Sequence, residues 1–148
     1  MTLSNQNLPN RTINEEKVLQ FGTGVLLRGL CDYAIDKANK QGIFKGSVVV
    51  IKSTGGGVDA FDAQDNLYTI CVRGLENGKA VEENIVSEVI SRVLKADTQW
   101  DKILATAENP AMQVVISNTT EVGLQYQQED LTKSGSPVSF PGKLTAWL

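Results

Sequence analysis

Two glycines one residue apart, Gly22 and Gly24, separate the apolar-leaning run Val18, Leu19, Gln20, Phe21 from the stretch Val25, Leu26, Leu27, Arg28, Gly29. When a strand precedes such a pair and a helix follows, the first glycine makes a tight bend. The second lets the backbone approach a phosphate, which then sits on the free N–H groups at the helix start. Thr23 lies between the two glycines, inside the turn. The third glycine of the full G-x-G-x-x-G pattern falls at position 27, which is Leu27, and Gly29 comes two residues later. Gly-x-Gly alone also suits a plain structural turn, but a strand before it and a helix after it favour a phosphate cradle.

Two other places have side chains suited to such a ligand. Lys52 ends the β-branched run "SVVVI", where an acidic residue would hold the ribose hydroxyls of NAD. A lysine there tolerates the extra phosphate of NADP, or is simply solvated, so the residues alone leave the cofactor open. "VVISNTTE" ends an apolar run with Ser117, Asn118, Thr119 and Thr120, which can hydrogen-bond a ribose or a nicotinamide amide, or cap the next segment. Arg28, one turn into the first helix, can reach a phosphate or a neighbouring domain, or lie in solvent.

The elements that must position these residues are legible from periodicity. Val18, Leu19 and Phe21 form a short buried strand. Leu27, Leu30, Cys31, Ala34, Ile35 and Ala38 make the stripe of a single helix from Val25, closed near Gly42. "SVVVI" predicts a strand covered on both faces, which completes a right-handed βαβ unit. "KSTGGGVDAFDAQDN" reads as a loop and "LYTICVRG" as a strand, and Asn77-Gly78 is a two-residue hairpin turn. "AVEENIVSEVISRVL" is ambiguous, since its first half can pair as a strand while Val86, Ile90 and Val93 suit a helix. "TQWDKILATAEN" predicts a helix capped by Thr98 or Asp97, and "MQVVISN" a buried strand. "FPGKLTAWL" begins a helix with Pro141 in its first turn. The expected fold is α/β, a Rossmann-like, doubly wound, mainly parallel sheet with an inserted β-hairpin. Residues 1–16 are expected to be a flexible leader and 17–148 the dinucleotide-binding domain.

Composition narrows the function classes. The chain has 148 residues, a formal charge of −3, 41% hydrophobic residues and no histidine. Nothing in that balance invites nucleic acid or an anionic membrane surface. No apolar run is long enough to span a bilayer, and Met1 to Asn14 lacks a hydrophobic signal core. Cys31 and Cys71 are far apart without metal-ligand spacing, so reduced thiols in a cytoplasmic protein are expected, with no metal site. Without histidine the chain has no imidazole base of its own.

"VLQFGTGVLLRG", "QDNLYTICVRGLENGKAVEE", "SNTTEVG" and "SFPGKLTAWL", in that order, resemble the N-terminal region of the mannitol dehydrogenase family of polyol-specific long-chain dehydrogenases. The resemblance runs from about Lys17 to Leu148. It implies an NAD-dependent oxidoreductase interconverting tagaturonate and altronate in hexuronate breakdown. Carried over by position, Val18 to Gly29 would be the dinucleotide-binding segment, and Ser117 with Asn118 would face the nicotinamide. The family often has Asn-Phe after the second glycine; Val25 and Leu26 stand there here. A basic residue at the position of Lys52 occurs in relatives that use NAD. The family's chemistry rests on a lysine base with asparagine and histidine partners in a helical C-terminal domain, which would also hold the sugar acid. The closing helix reads as unfinished at Leu148. The chain is therefore expected to be the cofactor-binding part, with no catalytic residue of its own and inactive alone. Other readings are a mannitol- or fructuronate-type dehydrogenase of the same family, an S-adenosylmethionine-dependent methyltransferase, and a non-catalytic nucleotide-binding module.

Overall fold

The computed structural model describes residues 3–8 and 11–148. Four strands, β1 (Glu15–Phe21), β2 (Gly46–Lys52), β5 (Ile90–Lys95) and β6 (Val114–Ser117), form one parallel sheet in the order β5-β2-β1-β6. The hairpin of β3 (Tyr68–Glu76) and β4 (Lys79–Ser87) is a separate antiparallel pair. Helices α1 (Val25–Gly29) and α2 (Cys31–Lys40) link β1 to β2, and α3 (Asp59–Asp62) precedes the hairpin. Then α4 (Trp100–Leu104) links β5 to β6, and α5 (Phe140–Trp147) closes the described chain. This is the expected Rossmann-like order with its inserted hairpin.

Strand alternation sends neighbouring side chains to opposite faces, and here both faces are covered. Val18, Val48, Val50, Ile90 and Val93 pack on one side with Tyr68, Ile35 and Phe61. Leu19, Phe21, Val49, Ile51 and Leu94 pack on the other with Trp100, Ile103, Phe140 and Trp147. That double burial is why β2 needs a continuous apolar run, each such side chain contributing about 1.5–3 kcal/mol. The hairpin turn has Asn77 and Gly78 at φ of 51° and 76°, the paired left-handed torsions of a type I′ turn.

Several expectations are corrected. The leader ends before residue 16: Glu15 and Glu16 already pair in β1, and Arg92 grips Glu16 through two 2.8 Å hydrogen bonds. Arg11 is anchored as well, donating to the Ile90 and Asp65 carbonyls, each at 2.8 Å. Leader residues 1, 2, 9 and 10 lie outside the described residues.

The single helix from Val25 is broken at Leu30, which is exposed together with Ala34. The face turned inward carries Leu27, Asp32, Ile35 and Asp36 instead. The stretch 52–66, read as loop, contains α3. The ambiguous stretch holds two strands and no helix. The β2–β5 register advances one residue on β2 while passing both Ser91 and Arg92 on β5, a bulge that returns Ile90 and Val93, three apart, to the same face. Helix α4 has Gln99 at its N-cap without a side-chain hydrogen bond, and Thr98 and Asp97 bond each other instead. Strand β6 was expected to be buried; it is the sheet's edge here, with Val114 and Val115 exposed.

Candidate functional site

Because β1, β2 and β6 are parallel, their carboxyl ends share one edge. Phe21 is in register with Ile51 on one side and Ser117 on the other. Gly22, Lys52 and Ser117 with Asn118 therefore come together along that edge. Between β1 and β6 the chain order reverses, α1 and α2 leading to β2 and α4 to β6. In an open α/β sheet, a ligand sits in the crevice at such a reversal.

The two glycines have different jobs. Gly22 is at φ +118°, a torsion that side chains rarely adopt, and its N–H donates to the Ile51 carbonyl at 2.9 Å. Gly24 is at an ordinary φ of −66°, so torsion does not require glycine there. Its missing side chain would project into open space, with nothing within 4 Å. Gly24 is also the N-cap of α1 and offers that helix no side-chain acceptor. Torsion selects the first glycine and clearance suits the second.

The remaining candidates sort by exposure. Val18, Leu19, Gln20, Phe21 and Leu27 are buried, so they lie beneath the turn rather than on its open side. Thr23, Gly24, Val25, Leu26 and Gly29 are accessible to solvent. Arg28 folds over the rings of Phe61 and Tyr68, 5.5 and 5.6 Å from their centres, in the wall of a cleft between α1 and β3. Lys52 emerges beside its register partner Lys95, its Nζ 3.5 Å from Thr54 Oγ1. Ser117 and Thr119 hydroxyls bond each other, and Asn118 is exposed. Lys143 is buried with its Nζ donating to the Val138 carbonyl at 2.6 Å, and burial lowers its pKa. That bond ties α5 to the segment just before it.

A polar cluster beneath the turn escaped the sequence reading. Gln20 Nε2 donates to the Gly22 carbonyl at 3.2 Å and to Asp32 Oδ2 at 3.3 Å. The Tyr68 hydroxyl lies 3.3 Å from the Arg28 carbonyl and 3.5 Å from Asp32 Oδ2. Asp32 is fully buried and its Oδ1 has no partner. Burial pushes its carboxyl up to about 6, against the opposing pull of Gln20, Tyr68 and the Arg28 charge. Burial and the Asp32 charge also raise the Tyr68 phenol. The one available signal was Asp32 standing four residues after Arg28, a charge pair that the apolar stripe hid.

The family comparison agrees with this geometry. The family described as the mannitol dehydrogenase Rossmann domain matches residues 16–145. The chain belongs to the mannitol dehydrogenase family. It is 47% identical to an altronate oxidoreductase of Halalkalibacterium halodurans, over 90% of this chain and 26% of that protein. It is 38% identical to the altronate oxidoreductase of Bacteroides thetaiotaomicron, over 100% of this chain and 31% of that one. The chain thus spans about three-tenths of the length of these relatives. Among solved structures, the Pseudomonas fluorescens mannitol 2-dehydrogenase ternary complex with NAD and D-mannitol superposes with a TM-score of 0.79 at 21% identity, over 99% of this chain and 35% of that one. A substrate-free D-sorbitol dehydrogenase gives 0.73 at 18%, with the same coverage. Among the described residues no helix is long and apolar enough to cross a membrane, and no three metal-binding side chains gather.

The buried carboxylate carries a stability prediction. Its pKa rises from 3.8 unfolded to about 6 folded, so the folded chain holds the extra proton between those values. Asp32 therefore supports the fold fully below about pH 4, and that support is lost as pH rises through about 6. Asp32→Asn lacks this loss. Urea melts of both proteins should show the variant gaining on wild type by up to about 3 kcal/mol between pH 4 and pH 7. A constant difference across that range would refute the shift.

Proposed function

We propose that this chain is the NAD-binding part of a cytoplasmic oxidoreductase that interconverts tagaturonate and altronate in hexuronate breakdown. The observation that carries the reading is the open space at Gly24, on the edge where the strand order reverses. The printed names of the full-length relatives supply the substrate class, and the Pseudomonas enzyme's complex supplies the cofactor. An S-adenosylmethionine site is disfavoured because Lys52 stands where such enzymes usually hold the ribose with an acid.

The residues present fit a dinucleotide. Gly22 sets the bend, Gly24 leaves room for the pyrophosphate, Lys52 lies toward the adenosine ribose, and Ser117 with Asn118 lie toward the nicotinamide. The chemistry supplied there by bound NAD is hydride exchange with the substrate carbon. The sugar acid and the groups that polarise its oxygen would belong to the part of the relatives that this chain does not span. A mannitol- or fructuronate-type substrate in the same family is the second reading, favoured by the mannitol complex of the structural neighbour.

Three measurements test this reading. Gly24→Val should fold normally, since its φ suits valine and nothing lies within 4 Å, yet weaken NADH binding at least about tenfold in a fluorescence titration. Wild-type affinity in the folded variant would remove the turn from the site. Lys52→Asp should raise the preference for NADH over NADPH, because a carboxylate repels the 2′-phosphate; equal affinity ratios before and after would show that Lys52 points elsewhere. The chain alone should consume no NADH with tagaturonate, since positioning and acid–base help together are worth many orders of magnitude. Turnover in the common enzyme range, about 1–10³ per second, would place the catalytic groups here.

A further inference from the structure

The cluster beneath the turn has a property that ordinary core packing does not explain. Gln20 faces two acceptors, the Gly22 carbonyl and Asp32 Oδ2, and its amide nitrogen bridges them. Its own oxygen, Oε1, is buried without a partner, as is Asp32 Oδ1. An apolar pair would satisfy this interior at less expense, since a buried carboxylate with an unpaired oxygen destabilises the fold. What the arrangement achieves is orientation. An ionised carboxylate only accepts hydrogen bonds, so it admits only the NH₂ end of the Gln20 amide. That end then has its second hydrogen directed to the carbonyl of Gly22. The same glycine's N–H is already held by Ile51, so both sides of its unusual torsion are fixed.

We propose that Asp32 is a positioning residue of the dinucleotide site, fixing the Gln20 amide and, through it, the Gly22 peptide from which the turn to Gly24 departs. The inference rests on the reading of that turn as the cofactor cradle. The charged and titratable groups around Asp32 are Arg28 from α1 and Tyr68 from β3. Asp36, one turn along α2, is ion-paired with Lys40 at 2.6 Å. Burial pushes the Tyr68 phenol up, so it stays protonated at neutral pH, and burial also raises Asp32, which takes up a proton as pH falls. A protonated carboxyl, like an asparagine amide, both donates and accepts. It therefore admits either end of Gln20 and no longer dictates its orientation.

The test uses the purified 148-residue chain as wild type, Asp32→Asn and Gln20→Leu. NADH affinity is measured by fluorescence between about pH 5 and 8, and the Gly22 and Thr23 amide signals of the ligand-free protein are followed by NMR over the same range. Wild-type affinity should fall about five- to tenfold as pH drops through about 6. Asp32→Asn should bind about five- to tenfold more weakly at pH 7, with no such dependence, although its stability gains on that of wild type as pH rises. Gln20→Leu, which removes the donor to Gly22, should bind as weakly. The Thr23 amide, the other half of the Gly22 peptide, should shift with that midpoint in wild type and not in Asp32→Asn. Unchanged affinity in Asp32→Asn, or tighter binding once the charge is gone, overturns the proposal, because the carboxylate is then structural or merely repels phosphate. An amide shift in wild type with no NADH binding at any pH overturns the cofactor reading instead, and the functional half of this inference with it.

Discussion

From Val18 to Phe21, strand β1 has no solvent side. Its two faces are buried, and both its edges are taken by parallel neighbours, β2 and β6. That position forces the rest. The chain can leave β1 only at its carboxyl end, so the turn at Gly22 must lift the backbone clear of the sheet within about two residues. Since β2 and β6 run the same way in register with Phe21, their last residues reach the same level as that turn. The site is thus assembled by hydrogen-bond register rather than by side-chain contacts among Gly22, Lys52 and Ser117. Parallel pairing also demands crossovers, and placing α1 with α2 on one face and α4 on the other opens the crevice between β1 and β6.

The covered faces are stabilised in the ordinary way, by apolar area, and the polar residues inside them are the exceptions to account for. Glu16 and Arg92 meet at the amino end of the sheet, partly exposed, where a two-pronged pair fixes β1 against β5 across β2. Asp32 is of another kind. It lies under the carboxyl end, fully buried, and its charge lowers stability at neutral pH. The two ends of the sheet therefore treat charge in opposite ways, pairing it at the rim far from the crevice and enclosing it beneath the turn.

Local signals carried much of this architecture. The β1–turn–helix segment, the continuous run of β2 and the Asn77-Gly78 turn are each specified by neighbours in sequence, so periodicity and turn chemistry revealed them. The misses share a different cause. Ile90 and Val93 have helical spacing because a bulge at Ser91 restores them to one face, and that bulge is set by pairing with β2, far away in sequence. Gln99 rather than Thr98 occupies the N-cap position of α4, and its side chain accepts from the Lys95 N–H at 2.9 Å instead of capping the helix. The site followed the same rule. Gly22 and Gly24 were legible from context, whereas Asp32 was hidden because a carboxylate on the inward face contradicts the binary pattern. Only the fold shows that Gln20, twelve residues earlier, waits there to receive it.

Leu27 joins these observations. In the full glycine pattern the third glycine lets the helix press close to the strand. Here a leucine fills that place, buried, with its Cδ1 at 3.4 Å from where a side chain on Gly22 would begin. Helix α1 then runs five residues before the chain bends at Leu30, and α2 brings Asp32 inward in its first turn. The space beneath the turn is occupied by Gln20, Asp32 and the Tyr68 hydroxyl, the last of these delivered by the first residue of the inserted hairpin. A leucine in place of a glycine, a bent helix and a hairpin in place of a crossover helix are three departures from the simplest dinucleotide fold. The bent helix and the hairpin supply Asp32 and Tyr68 to the polar cluster that holds the Gly22 carbonyl, while Leu27 lies beside Gly22 itself. The departures are better understood as coupled through Gly22 than as three independent tolerances, because Leu27 lies beside that glycine and the Gln20 amide ties its carbonyl to Asp32.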